Sequence, residues 1–251
     1  MEPQPSHLSR ISTSWTVLNQ AHRGSADAAA SAQQWIMHRY GGAVHRYLLA
    51  ALRDPHAADD LAQEFALALV RGDFHQVQVE RGRFRDYVKT VLFHLVGRYR
   101  KRLVARKESL SPDHPEVINV AAALEDPDAA YEQSWREALL AKTWESLAEA
   151  QPSFYAVLRF HADHPEVPSQ RAAETLSRQL HKIFTPENLR QTLHRARAKF
   201  ADLLLAEVSQ SLAEPNAENI AEELRDLNLL SYCQSALARL SNASSGQAPS
   251  A

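Results

Sequence analysis

The stretch from Thr185 to Leu205, "TPENLRQTLHRARAKFADLLL", sets Leu189, Leu193, Ala196, Phe200, Leu203 and Leu204 on one stripe when wound at about 100° per residue. That spacing describes a helix with one buried side. Thr185 and Pro186 supply its start: the threonine hydroxyl can accept from an orphan backbone N–H, and proline is preset for the first helical position. The opposite arc carries Glu187, Asn188, Gln191, His194 and Arg195, while Arg190 and Arg197 flank the apolar stripe. A mixed-charge helix side is ordinarily a solvated face. A second role, insertion in a nucleic-acid groove, needs support from the rest of the chain.

The same three- and four-residue spacing recurs elsewhere. Trp15, Val17 and Leu18 are followed by Trp35, Ile36, Tyr40, Val44, Tyr47 and Leu48, after which "RDPHAADD" breaks and restarts the helix. Leu61, Phe65 and Leu69 mark the next helix, Ala58 to Val70, and Phe84, Val88, Val91, Leu92, Leu95 and Tyr99 mark one from Phe84 to Arg106. Tyr131, Trp135, Leu139 and Trp144 open another, with further helices over Pro152 to Ala162 and Ser169 to Leu180. No strand pattern and no repeat at a solenoid period occurs. The expected fold is all-α: two small helical domains, 14–106 and 130–208, joined by a flexible linker, with a C-terminal helical extension. The linker is placed at 107–129, where three prolines and a weak amphipathic period speak against a helix. A disordered N-terminus is expected at 1–13 and a disordered tail at 235–251, with the acidic extension, 209–234, either packed against the second domain or acting as a regulatory segment that shields a basic surface.

Charge and composition narrow the functions open to such a chain. The formal net charge is -2, so any nucleic-acid site must come from segregation of charge rather than a global surplus. Segregation is present: Arg81 to Lys107 holds ten Lys/Arg against the single acid Asp86, whereas Glu207 to Asp226 holds six acids against Arg225 alone. Cys233 is the only cysteine, which excludes an intramolecular disulfide and any zinc site built on several cysteines. Its neighbours Leu229, Leu230 and Tyr232 suggest a packed small residue. No apolar run approaches the roughly 18 residues of a membrane span, and the N-terminus lacks a signal pattern, so a cytoplasmic protein without a membrane partner is expected. With seven glycines and no Gly-rich phosphate loop, no cofactor is expected, and no hydrolase, kinase or transferase motif points to an enzyme. His161, Asp163 and His164 in "FHADHP" do not match the spacing of a known metal site.

Two stretches carry candidate chemistry. In "DDLAQEFALALV", Asp60, Gln63, Glu64 and Leu67 share one helix face at i, i+3, i+4 and i+7, beside the Leu61/Phe65 stripe. Acids near a helix N-terminus offset its dipole, which accounts for Asp59 and Asp60 but less well for Gln63 and Glu64. Such a face suits a basic helical partner. In "GRFRDYVKTVLFHLVGRYRKR", Arg85, Lys89, Val96 and Arg100 are placed on the side away from the core, with Phe93 among them. An aromatic among cations is either an ordinary feature of a basic solvated helix or a stacking surface for unpaired bases.

The order of "DDLAQEF", the basic helix, a linker and a terminal helix-turn-helix resembles the sigma-70 family, specifically its extracytoplasmic-function (ECF) group, which retains regions two and four. "TSWTVLNQAHRG" and "RQTLHRARAKFADLLLAEV" are most similar to the planctomycete-type members, and the resemblance covers about Ser14 to Val208. It implies a sigma factor that binds core RNA polymerase and directs promoter recognition and transcription initiation. Asp60, Gln63, Glu64 and Leu67 would meet the clamp helices of the beta-prime subunit. Arg83, Arg85, Lys89, Phe93, Arg100 and Lys101 would hold the opened minus-ten promoter element. Asn188, Arg190, Gln191, His194, Arg195, Arg197 and Lys199 would bind the minus-thirty-five element, with Gln191, His194 and Arg195 addressing base edges and Arg190, Arg197 and Lys199 the phosphates. An anti-sigma factor or other regulator is a further partner that the resemblance admits. "SQRAAETLSRQLHKIFTPE" lacks the family's turn glycine, so a wider turn is expected before Thr185. The alternatives are a helix-turn-helix regulator acting without polymerase and an all-helical adaptor that binds protein only.

Overall fold

The computed structural model describes residues 14, 16–18, 25–71, 83–107 and 126–244. Among them the regular structure is helical, with no strand and one isolated bridge between Arg83 and Leu212. The helices are α1 (Ala26–Leu52), α2 (Pro55–Arg71), α3 (Phe84–Lys107), α4 (Pro127–Ala150), α5 (Pro152–Asp163), α6 (Ser169–Leu180), α7 (Pro186–Ser209), α8 (Ala217–Asp226) and α9 (Leu230–Ser244). Four of them, α2, α4, α5 and α7, start on proline, whose missing N–H costs nothing in the first turn. The residue before the proline caps three of these starts. The Asp54 carboxylate accepts from the His56 and Ala57 N–H groups, that of Asp126 from Asp128 and Ala129, and the Thr185 hydroxyl from Asn188.

The chain divides into two compact units. One holds the described residues up to Ala138 together with Gln210–Pro215. Its core gathers Ile36, Tyr40, Leu48, Phe65, Phe84, Leu92 and Leu95 with Tyr131 and Trp135 from α4. Tyr40 stacks on Trp135 at 4.7 Å between centroids and 10° between planes, and the Tyr131 hydroxyl donates to the Arg85 carbonyl at 2.7 Å. Two boundaries therefore differ from the sequence-based expectation. α4 starts at Pro127, inside the stretch expected to be linker, and its residues to Ala138 belong to the first unit, not to a domain beginning at 130. The reason is the i, i+4 aromatic pair Tyr131/Trp135, both 1% exposed, which completes the aromatic core around Tyr40. Within the expected linker, residues 108–125 lie outside the described residues, as do 1–13. The short segment after α7 also belongs here: Ser14 donates from its N–H and its hydroxyl to the Gln210 carbonyl, the Phe84 N–H donates to Ser211, and Leu212 is buried.

The second unit holds Leu139–Ser209 and the described residues from Asn216 on. Val157, Ala172, Ala173, Leu176 and Leu189 bring α5, α6 and α7 together, with Phe160, Val167, Leu180, Phe184 and Leu193 around them. A neighbouring cluster of Leu147, Leu158 and Ala196 is flanked by Trp144, Phe154, Tyr155, Leu193, Phe200 and Leu203. The C-terminal half of α7 buries Ala201, Leu204, Leu205 and Val208, and α8 and α9 pack along this helix. α9 runs to Ser244, so residues 235–244 are helical rather than a disordered tail. Cys233, Ala236, Leu237 and Leu240 repeat at i, i+3, i+4 and i+7, a stripe hidden in the sequence by the surrounding Ser, Ala and Asn. Cys233 is fully buried, and burial, with a smaller push from Asp202, raises its thiol to about 11. It stays protonated and packs as a small apolar group.

The turn between α6 and α7 is built without glycine. His181 takes the left-handed conformation at φ 51° and ψ 37°. The Ser177 hydroxyl donates to the Ala173 carbonyl at 2.6 Å and accepts from the Phe184 N–H at 2.9 Å, so one side chain ties the end of α6 to the turn. Histidine tolerates this backbone at a cost that glycine avoids. His181→Gly is accordingly expected to stabilise the second unit by about 0.5–1 kcal/mol, measured by chemical denaturation, because the side chain is exposed and its loss removes no packing.

Candidate functional site

In the first unit, α2 turns Leu61, Phe65 and Ala68 inward and leaves Asp60, Gln63 and Leu67 exposed, with Glu64 half-buried beside them. Leu67 is 50% exposed, a large apolar side chain on a face whose other members are acidic or amide-bearing. The four side chains singled out in the sequence thus do share one surface. Glu64 does not stand free on it. Its two carboxylate oxygens accept separately from α3, one from Arg98 Nη2 at 3.0 Å and the other from Arg102 Nη2 at 3.4 Å. The side chains of Arg98 and Arg102 are 56% and 64% exposed, so solvent screens both pairs and each contributes only about 0.2–1 kcal/mol.

α3 corrects the sequence reading most. The side expected to face solvent is largely occupied within the unit. Arg85 is 4% exposed, with Nη1 3.8 Å from Glu132, and Val96 is buried. Lys89 pairs with Asp128 at 3.0 Å and lies over the Phe93 ring. Phe93 is half-buried and stacks on Tyr47 at 5.7 Å and 21°, so it is not an isolated exposed aromatic. Arg100 donates to the Ala51 carbonyl, where a cation complements the negative end of α1. Arg83 is half-buried and its backbone bridges Leu212. Burial pushes the Tyr47 hydroxyl up to about 12, with Arg100 lowering it and Asp128 raising it further, so the ring stays neutral beside these charges. Of the six positions, Arg83 just before α3 and five on the helix, Lys101 alone is exposed.

The exposed cations that the sequence reading missed are Arg98 and Arg102. The signal was present: Val91, Leu95, Arg98 and Arg102 follow one another at i, i+4, i+7 and i+11. The stripe that packs against the neighbouring helices changes from apolar to cationic at Arg98, which brings the two guanidinium groups onto Glu64.

In the second unit the first turns of α7 are held by a reciprocal pair. The Asn188 N–H donates to the Thr185 hydroxyl at 3.2 Å, and the Thr185 N–H donates to Asn188 Oδ1 at 2.9 Å. Asn188 Nδ2 donates to the Ile183 carbonyl. Asn188, expected from the resemblance to touch DNA, is thus committed to the cap. Arg190 folds back on the Pro186 carbonyl and on Glu187. Gln191, His194, Arg195 and Arg197 are exposed and Lys199 half-buried. Arg190, Gln191, His194 and Arg195 line an open depression of about 430 Å³. Such a surface offers amide and guanidinium donors to a flat polar edge. Asp163 is held by Arg159 at 2.9 Å, and among the described residues no three His, Cys, Asp or Glu side chains gather as a metal site. Among the described residues, no helix is long and apolar enough to cross a membrane.

Comparison with protein-family models, with curated proteins and with solved structures finds no match.

Proposed function

We propose that the chain is a sigma-type initiation factor that docks on core RNA polymerase through α2 and reads upstream promoter DNA through α7. The observation that carries this reading is the surface of Asp60, Gln63, Glu64 and half-exposed Leu67, an acidic and amide-bearing face with an apolar centre suited to a basic helical partner. The packed α5–α6–α7 cluster, with a capped α7 presenting Gln191, His194 and Arg195, supports a helix-turn-helix reader in the same molecule. A DNA-binding regulator working alone has no use for the α2 face. The proposed partners are core polymerase and promoter DNA. The chemistry of initiation belongs to the polymerase, so this chain needs neither cofactor nor metal for the role.

Run-off transcription with core polymerase on a library of upstream sequences tests the reading. Transcripts that depend on the added protein, enriched for one upstream motif, are expected; none above core polymerase alone would refute it. Within that assay Arg195→Ala and Gln191→Ala should relax preference at single upstream positions, each by about 1–3 kcal/mol of discrimination. Arg197→Ala should weaken all sequences alike and lower the slope of log K against log salt by about one. Equal losses across every sequence for all three variants would reverse the assignment of base and phosphate contacts.

A further inference from the structure

Glu64 belongs to the proposed docking face, yet it spends its charge inside the unit, one oxygen on Arg98 and one on Arg102. Among the described side chains, these two arginines and neighbouring Lys101 are the exposed cations in the C-terminal half of α3, while Arg85, Lys89 and Arg100 are engaged elsewhere. A single carboxylate thus links the proposed docking face to the exposed cations of α3. We infer that Glu64 is an internal mask: in the free protein it holds Arg98 and Arg102 away from DNA phosphates, and a basic docking partner that captures Glu64 releases both arginines to bind DNA.

The physical basis is competition for one anion. Both pairs are exposed and screened, so a cation presented by a docked helix can take the carboxylate at little cost. Arg98 and Arg102 lie one turn apart on the same stripe, and once released they present two guanidinium groups at a spacing a phosphate backbone can use. The inference rests on the proposed docking role for its second half, the release by polymerase. Its first half, the mask, stands on the two ion pairs, with DNA as the ligand of α3 taken from the same sigma-type reading.

The test measures binding of the full chain to a fluorescein-labelled duplex with an A·T-rich single-stranded bubble, over a range of salt. Glu64→Gln keeps the side chain's size and removes its charge. The free Glu64→Gln protein is expected to bind about tenfold more tightly at low salt, with a log–log salt slope steeper by about one to two. Asp60→Asn makes the same change in net charge on the same helix without touching either arginine, and should have a much smaller effect. Adding Arg98→Gln and Arg102→Gln to Glu64→Gln should abolish the gain. A gain no larger than that of Asp60→Asn overturns the mask. For the release, Arg98→Gln with Arg102→Gln should leave free wild-type binding nearly unchanged and weaken DNA binding of the polymerase-bound protein about tenfold. An equal loss in both states overturns the exchange. Failure of the wild-type chain to bind polymerase defeats the proposed function and the exchange, while the Glu64→Gln comparison still decides the mask.

Discussion

Replacing Trp135 with alanine is expected to destabilise the first unit by about 3–5 kcal/mol, the range for removing a buried aromatic side chain. The ring is 1% exposed and stacked on Tyr40, which itself packs against Phe84 at 5.1 Å, so its removal opens the centre of the core rather than its margin. Hydrogen exchange should locate the damage. Amides of α1 and α3 should exchange faster, while those of α6 and of the first turns of α7 keep wild-type protection. A loss confined to α6 and α7 would instead mean that Trp135 serves the second unit. Trp135→Phe separates stacking from volume: it keeps an aromatic face on Tyr40 and removes a buried indole N–H that has no acceptor among the described residues. It should therefore cost far less than alanine.

The second large effect concerns docking. Asp60→Ala and Glu64→Lys should each lower affinity for core polymerase by about a hundredfold, which corresponds to about 2.7 kcal/mol and to the behaviour of residues central to an interface. Both side chains are at least partly exposed and Glu64 makes only screened pairs, so the variants should fold normally by circular dichroism. Glu64→Lys goes further than neutralisation, since it sets a like charge against a basic partner. The measurement is binding of labelled protein to core polymerase at physiological ionic strength. Unchanged affinity in both variants would remove the docking role from α2.

Much of the helical plan was legible in local sequence. Ser169–Leu180 and the starts at Phe84, Pro152 and Pro186 could be read directly, because period, proline and cap act within a few residues of one another. So could the α2 face, since i, i+3, i+4 and i+7 positions share a side of any helix. The orientation of α3 was not legible. Its apolar residues spread widely around the helix, so Arg85 and Val96 read as exposed although their neighbours bury them. Phe93 was placed on the side away from the core, either as part of a solvated face or as a stacking surface, because Tyr47, which stacks on it, lies far away in the chain.

By itself the sequence determined that the described residues are helical, where α3, α5, α6 and α7 begin, and which side of α2 and of α7 is polar, because each of these follows from short-range geometry and hydrogen bonding. Only the tertiary structure decided that Tyr131 and Trp135 complete the first unit rather than open the second. It alone showed that Arg85, Lys89 and Arg100 serve the fold, and that Glu64 meets Arg98 and Arg102. Those outcomes depend on which buried surfaces and charges meet across long separations in the chain, and helical periodicity carries no information about the partner.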